Sequence, residues 1–460
     1  MIFLTMYKAS VDADLATRFG ELKAGLRSIL TPLVTPAIDT IANVFNVPGA
    51  TLRSPAQPTE FGEPTGILDA ELYTDRRSLV AITLSDPTHR HVPRLRRLAR
   101  SAAEDSDDKR LVIEVAFIGP DLPPRSLAPV IDVYDTVFPV KLANRRFTSP
   151  RFTELKDEGR EPPTAPTAQE LLAVTKLRDR AARTLATAVK ASGGLLLKDA
   201  PKQLPQDHRA DVEHLTTELK ASGIIDSEVF VVCSKTQAQV ARVPNLQVID
   251  DLARSGVKCA CGRSISEERH EEALTVTELG RSLLDKARWL TVLLIQELEG
   301  MGVPAGDILV EQNIGGDEID CLANISGELV LIELKDKEFS LGNAYSFGAK
   351  IAIVRPQHKV IITTDKIGND AKEHFKRARL SGGTEGDMDF LYEHSQQGRD
   401  ITYIEGVQNL NEGLADLVTS IYRGDATRLL GQVLPFAVVD GAALLAAFES
   451  TIAQPKTVAA

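Results

Sequence analysis

Three short apolar runs broken by glycine turns constrain this chain most: DILVEQNI (307–314), EIDCLANI (318–325) and ELVLIELK (328–335). Each has the length of a strand, and the breaks, Gly315–Gly316 and Ser326–Gly327, are turn formers. ELVLIELK is apolar on both faces, as a central buried strand must be. A helix over ELGRSLLDKARWLTVLLIQELEG (278–300) precedes them. A helix in SLGNAYSFGAKIAIV (340–354), a strand in KVIITTD (359–365), a helix in IGNDAKEHFKRAR (367–379) and a strand in DITYIEG (400–406) follow. The run predicts one domain over 278–423, built as helix, three strands, helix, strand, helix, strand.

The third run ends in Glu-Leu-Lys, a string that the chain contains four times, starting at Glu21, Glu154, Glu218 and Glu333. Glu21 and Glu218 lie in amphipathic helical stretches, where residues two apart point to different sides. Glu154 borders a proline-rich stretch. On a strand, residues two apart share a face, so Leu331, Glu333 and Lys335 project one way and Ile332 and Leu334 the other. Charges at the end of a buried run are costly unless a cation, a partner charge or solvent receives them.

Antiparallel pairing through a turn centred on Ser326–Gly327 sets Asp320 opposite Glu333. Two converging carboxylates repel unless a cation lies between them, and hard oxygen donors select Mg²⁺ or Mn²⁺. Glu318 shares the face of Asp320 and is a candidate to assist. The alternative is a purely structural acid–lysine pair at a strand end.

The run GGDEID, twelve residues, then ELK, flanked by helices as above, resembles the PD-(D/E)xK nuclease superfamily, which includes restriction endonucleases and Holliday-junction resolvases. The resemblance covers roughly 278–410. It implies a restriction-endonuclease-like αβββαβ core and phosphodiester hydrolysis. Asp320, Glu333 and the Leu334 carbonyl would hold the metal, and Lys335 would orient or activate the attacking water. It implies an acid on the first helix, for which Asp285 fits best, with Glu278 and Glu297 as competitors. The position before Asp320 is Ile319 rather than proline. The second helix of such domains often carries a further polar residue, here Asn343, Tyr345 or Lys350, each also readable as an ordinary helix residue.

The rest of the 460 residues exceeds what one core accommodates, so an α/β multidomain chain is expected. Residues 1–156 read as a small α/β domain, with strands in RRSLVAITLSD and KRLVIEVAFIGPDLPP and a basic helix between them, and its role is not legible. Residues 157–168 (DEGREPPTAPTA) read as a linker, followed by one long helix over AQELLAVTKLRDRAARTLATAVKAS (168–192), ending at Gly193–Gly194. Residues 169–277 alternate short helices and strands in a winged-helix-like pattern, which would serve nucleic-acid recognition or, equally, packing. Residues 424–460 read as a helical extension packed on the 278–423 domain.

The net charge of −11 gives a field that repels polyanions, so a DNA or RNA partner requires a local basic surface. HRHVPRLRRLAR (89–100), KLANRRFTSPRF (141–152) and KEHFKRAR (372–379) are the candidates, each also readable as a solvated face. No apolar run reaches membrane-spanning length, and the opening MIFLTMY lacks the layout of a signal peptide.

Four cysteines, Cys233, Cys259, Cys261 and Cys321, are too few for a disulfide scaffold and suit a reduced, cytoplasmic setting. CACG at 259–262 resembles a zinc knuckle with one residue between the sulfurs instead of two. Cys233 would add a third thiolate to a structural Zn²⁺ site and His270 a fourth ligand. The alternative is ordinary reduced thiols, and Cys321 reads as core. The reading is therefore a metal-dependent nuclease acting on DNA in restriction, phage defence or repair, with a homo-oligomer or a defence-system protein as partner. A nuclease directed at RNA and a non-catalytic nucleic-acid-binding regulator on the same fold are the alternatives.

Overall fold

The computed structural model describes residues 1–33, 44–46, 67–86, 110–159, 165–381, 401–433 and 440–453. It is a mixed α/β structure with three sheets. The first comprises β1 (Phe3–Val11), β2 (Thr31–Pro32), β3 (Ile67–Thr74), β4 (Leu79–Ser85), β5 (Leu111–Gly119) and β6 (Ala143–Arg145), with helices α1 (Ala13–Ala16), α2 (Phe19–Arg27) and α3 (Leu127–Val137). The order is β2-β3-β4-β5-β1-β6, with every neighbouring pair antiparallel. Successive residues face opposite layers. Val80 and Ile82 pack with Leu22 and Leu26 of α2 and Tyr134 of α3, whereas Leu79 and Ala81 pack on helices from the far end of the chain. Burial on both sides explains why LVAITLS shows no polar alternation. The two strands predicted here, β4 and β5, are adjacent, and the basic helix expected between them lies outside the described residues.

Helix α4 (Pro150–Glu158) starts on Ser149, whose side chain accepts a bond from Phe152 N–H. The middle module then contains α5 (Ala168–Leu177), α6 (Arg180–Ser192), β7 (Leu195–Leu196), α7 (Val212–Ala221), β8 (Ile225–Val232), β9 (Gln239–Val243), α8 (Leu246–Arg254) and β10 (Arg269–Val276). Its sheet runs β7-β10-β8-β9, antiparallel. The single helix expected over 168–192 is two helices, because Asp179 leaves the helical conformation and caps α6 through Ala182 N–H at 2.7 Å.

The third sheet is ordered β11-β12-β13-β14-β15, from Ile308–Ile314, Asp317–Ile325, Glu328–Lys335, His358–Thr363 and Thr402–Glu405. The first three strands are antiparallel and the last three parallel. Helices α9 (Glu278–Leu284) and α10 (Arg288–Gly300) precede it, α11 (Leu341–Val354) and α12 (Asn369–Ser381) make its crossovers, and α13 (Leu410–Val433) and α14 (Gly441–Ala453) close the described chain. One face of the sheet, with Cys321, Ile332 and Val360, packs on Trp289, Leu293 and Leu294 of α10. The other, with Leu322, Leu331 and Ile361, packs on Phe347 of α11 and on Phe152 and Leu155 of α4. Helix α4, read from sequence as the end of the first domain, thus belongs in space with the third sheet.

Two readings of element extent change. The helix over 278–300 is broken between α9 and α10, where Lys286 and Ala287 take left-handed φ of 46° and 58°. The described part of 424–460 is not a separate extension on the third sheet. Helix α13 runs uninterrupted through Arg423 and is about 36 Å long. Its first half, with Leu414 and Val418, joins the core of the third sheet, and its second, with Leu429 and Leu430, joins α14 on the N-terminal sheet. Among the described residues no helix is long and apolar enough to cross a membrane.

Candidate active site

The hairpin β12–β13 determines where the charges fall. Ser326 and Gly327 both have positive φ, 53° and 79°, and so form a tight two-residue turn. Pairing runs from Ile325↔Glu328 to Cys321↔Ile332. The next position sets Asp320 across from Glu333. Leu334 N–H donates to Asp320 Oδ2 at 2.8 Å, so the backbone of one strand holds the carboxylate of the other.

Both carboxylates meet the same two ammonium groups. Lys335 Nζ lies 2.7 Å from Glu333 Oε1 and 3.5 Å from Asp320 Oδ2. Lys350 Nζ, on α11, lies 2.6 Å from Glu333 Oε2 and 3.3 Å from Asp320 Oδ1. Glu333 is 1% exposed. Burial, followed by the charge of Asp320, pushes its carboxyl above the usual carboxylate range, against the pull of both lysines. For Lys335, burial lowers basicity, but Asp320 and Glu333 outweigh it and hold the ammonium above its usual value. A hard divalent ion suits these donors, since two oxygen-bearing groups already converge on shared cations and Asp320 keeps partial exposure.

Of the residues weighed for the second helix, Lys350 joins the cluster. Asn343 forms a capping box with Ser340, and the exposed Tyr345 ring lies 4.5 Å from that of His374. The first-helix acids go elsewhere. Asp285 sits at the α9–α10 break and pairs with Lys190. Glu297 is held by Arg178 and, at 2.5 Å, by Asn411. Glu278 and Asp285 line a cleft of about 400 Å³ with Arg281, Ser282, Lys286, Arg288 and Glu311. The cleft reaches the start of β12, since Lys286 pairs with Glu318 at 3.4 Å, while Glu311, at a left-handed φ of 53°, and Asp320 fall between the paired positions Val310↔Cys321 and Gln312↔Ile319.

Asp336, missed from sequence, anchors the end of β13. It accepts from the indole N–H of fully buried Trp289 at 2.8 Å and faces Arg183 at 3.7 Å. The only available signal was an acid directly after the ELK string. The basic stretch 141–152 is largely engaged internally. Arg145 pairs with Glu114, Lys141 with Asp135, and Arg151 with Glu154 and the Ile353 carbonyl. In 372–379, Lys372 pairs with Glu405 and Lys376 with Glu373, while 89–100 lies outside the described residues.

A second cluster lies in the middle module. Ligand atoms of Cys233, Cys259, Cys261 and Glu268 fall within 4.8 Å of one another. Glu268 takes the place expected for His270, whose Nε2 instead faces the Ile265 carbonyl at 3.2 Å on the neighbouring loop. Hydrogen bonds from Thr236 bring the Cys233 thiol down to about 7, and those from Cys261 and Ser234 bring Glu268 down to about 2. Cys259 is pushed up to about 12, the Cys261 backbone opposing and burial and the neighbouring thiols prevailing. Cys321 is fully buried core, as read.

No family model matches the chain, and no curated protein matches it. The solved structure of protein VC1899 from Vibrio cholerae is similar over 56% of this chain at 13% identity and a TM-score of 0.26. The chain covers 57% of that protein, and a score this low relates neither fold nor function.

Proposed function

We propose that this chain is a metal-dependent nuclease that hydrolyses phosphodiester bonds, DNA foremost, in restriction, defence or repair, on a restriction-endonuclease-like core. The observation that carries this reading is the convergence of Asp320 and Glu333 on shared cations, with Lys335 in reach of both. Asp320 and Glu333 would hold Mg²⁺ or Mn²⁺, which when bound polarises the scissile phosphate. The Leu334 N–H fixes the Asp320 carboxylate. Lys335 orients the attacking water and offsets charge that develops on the phosphoryl oxygens. The winged-helix-like middle module would recognise the nucleic acid, and Zn²⁺ would belong to its thiols, on a different sheet from the reacting phosphate.

One observation favours a second reading. The two carboxylates are already balanced by two lysines, as in a structural ion quartet, which suits a non-catalytic regulator on a nuclease-like scaffold. The deciding experiment is cleavage of single- and double-stranded DNA and RNA with Mg²⁺, Mn²⁺ or EDTA, by wild type and Glu333→Ala. Metal-dependent cutting of DNA that the substitution abolishes is expected. Cutting of RNA alone would redirect the substrate, unchanged cutting by the variant would overturn the site, and no cutting of any substrate would favour the regulator.

A further inference from the structure

The middle module has little apolar material of its own at the end where β8, β9 and α8 meet. Its core cluster there consists of Val231, Val243, Ile249 and Ile265. Beside it, three separate stretches of chain bring side chains to one point. Cys233 closes β8 at the mouth of a hairpin, held by the Cys233 N–H to Ala238 carbonyl bond and the Gln237 N–H to Cys233 carbonyl bond. Cys259 and Cys261 sit in a turn, pinned by Cys259 N–H to the Arg263 carbonyl and Gly262 N–H to the Cys259 carbonyl. Gly262 has φ of 93° with open space around it, so the turn demands its backbone freedom. Glu268 leads into β10.

Cys233, Cys259 and Glu268 are buried, at 2%, 6% and 5% exposure. No lysine, arginine or histidine forms an ion pair with Glu268 among the described residues; its oxygens accept from Ser234 N–H at 2.6 Å and from the Cys261 thiol at 2.8 Å. A buried carboxylate among three thiols, without a counter-charge, is an unfavourable core unless a cation binds there.

We propose that Cys233, Cys259, Cys261 and Glu268 form a closed, four-coordinate Zn²⁺ site that is structural and separate from the Asp320–Glu333 centre. Four donors, three of them soft sulfurs, match the tetrahedral preference of Zn²⁺, and no position remains open for a substrate water. A tetrahedral site with Zn–S of about 2.3 Å has edges of about 3.8 Å, a modest contraction of the present cluster. Binding displaces the thiol protons to solvent. The Ser234 N–H on Glu268 and the Thr236 N–H, 3.4 Å from Cys233 Sγ, are the outer-shell donors that orient ligands and temper their charge. The ion would tie the β8–β9 hairpin to the loop that enters β10, the element leading directly into α9 and the nuclease-like sheet.

The test uses the full chain, expressed with zinc and dialysed against EDTA, with bound metal measured by mass spectrometry. Wild type and Glu333→Ala are expected to retain one Zn²⁺ per chain, while Cys259→Ser with Cys261→Ser falls to background. Glu268→His is expected to keep the ion, because imidazole is a good fourth ligand, whereas Glu268→Ala releases it to a chromogenic chelator faster than wild type. Should the double cysteine variant fail to fold, titration of wild type decides: thiol modification is expected to release zinc in step with three thiols. Metal-free wild type in which Cys233, Cys259 and Cys261 react freely, or zinc lost in Glu333→Ala but kept in the double cysteine variant, would overturn the site.

Discussion

Lys350 Nζ stands 2.6 Å from Glu333 Oε2 and 3.3 Å from Asp320 Oδ1, so an ammonium group from α11 occupies the point on which the two carboxylates converge. On the proposed reading, a divalent ion and Lys350 compete for the same oxygens. Lys350→Met is expected to bind Mn²⁺ several-fold more tightly than wild type in a direct titration. In EDTA the variant should be about 3 kcal/mol less stable, because Glu333 loses half its compensation in a buried setting, and Mg²⁺ should restore most of that loss. Equal metal affinity in variant and wild type would refute the competition.

Lys335 contacts the same carboxylates but ends the strand, where it is partly exposed and able to face a substrate. Lys335→Met should lower cleavage about 100-fold, the scale of a lost transition-state donor, while metal binding persists. Glu333→Ala should lose both. Single-turnover cleavage alongside metal titration separates the two roles, and a Lys335→Met variant that cleaves at the wild-type rate removes Lys335 from the chemistry.

The register that places these groups was legible because it depends on local signals: a Ser-Gly turn, a two-residue period and a run apolar on both faces, as a central strand must be. The pairing Cys321↔Ile332 follows from them. Lys350 was harder to assign, since a lysine within an apolar helix looks like any snorkelling side chain until the crossover fixes which helix face meets the sheet. Asp285 was misleading for a related reason. Hydrophobic periodicity continues through 278–300, but the backbone breaks at Lys286 and Ala287, and the acid turns to Lys190 instead. Glu268 was passed over for His270, two residues on, because a short charged stretch does not show which of its side chains the entry into β10 turns toward the thiols. The dual attachment of α13 was equally hidden, since a continuous apolar stripe does not say that its two halves face different sheets.

The junction between the middle module and the third sheet is tight at one glycine. A Cβ on Gly280 would lie 2.1 Å from the Ile224 carbonyl oxygen, a backbone atom that cannot swing aside. Thr277 reinforces the contact, with its hydroxyl donating to the Gly223 carbonyl at 2.6 Å and accepting from Gly280 N–H at 3.0 Å. Gly280→Ala should cost about 3 kcal/mol by overpacking. Gly348→Ala, in α11 with open space at its Cβ, should instead stabilise by about 0.5 kcal/mol through helix propensity. Urea denaturation of both variants checks the contrast, and a tolerated Gly280→Ala would mean that the two modules are not seated against each other.

Glu170 gives this architecture a predictable response to pH. Its carboxylate accepts from Thr167 N–H at 2.8 Å, completing the capping box of α5, and pairs with Arg288 at the start of α10 at 2.6 Å. Burial disfavours the ionised form, but the Thr167 bonds and Arg288 outweigh it and hold the carboxyl below the usual carboxylate range. A group whose folded value is depressed contributes stability above its unfolded value and loses it as pH falls through the folded one. Glu170→Gln retains a capping box and gives up only the charge. It should therefore be about 1 kcal/mol less stable than wild type at neutral pH, a modest figure because Arg288 is partly solvated. The difference should shrink as the solution is acidified through and below the carboxylate range. Chemical denaturation of both proteins across that range checks the sign. A gap that stays constant into acid would show that the stabilisation comes from shape, not from the ionised carboxylate.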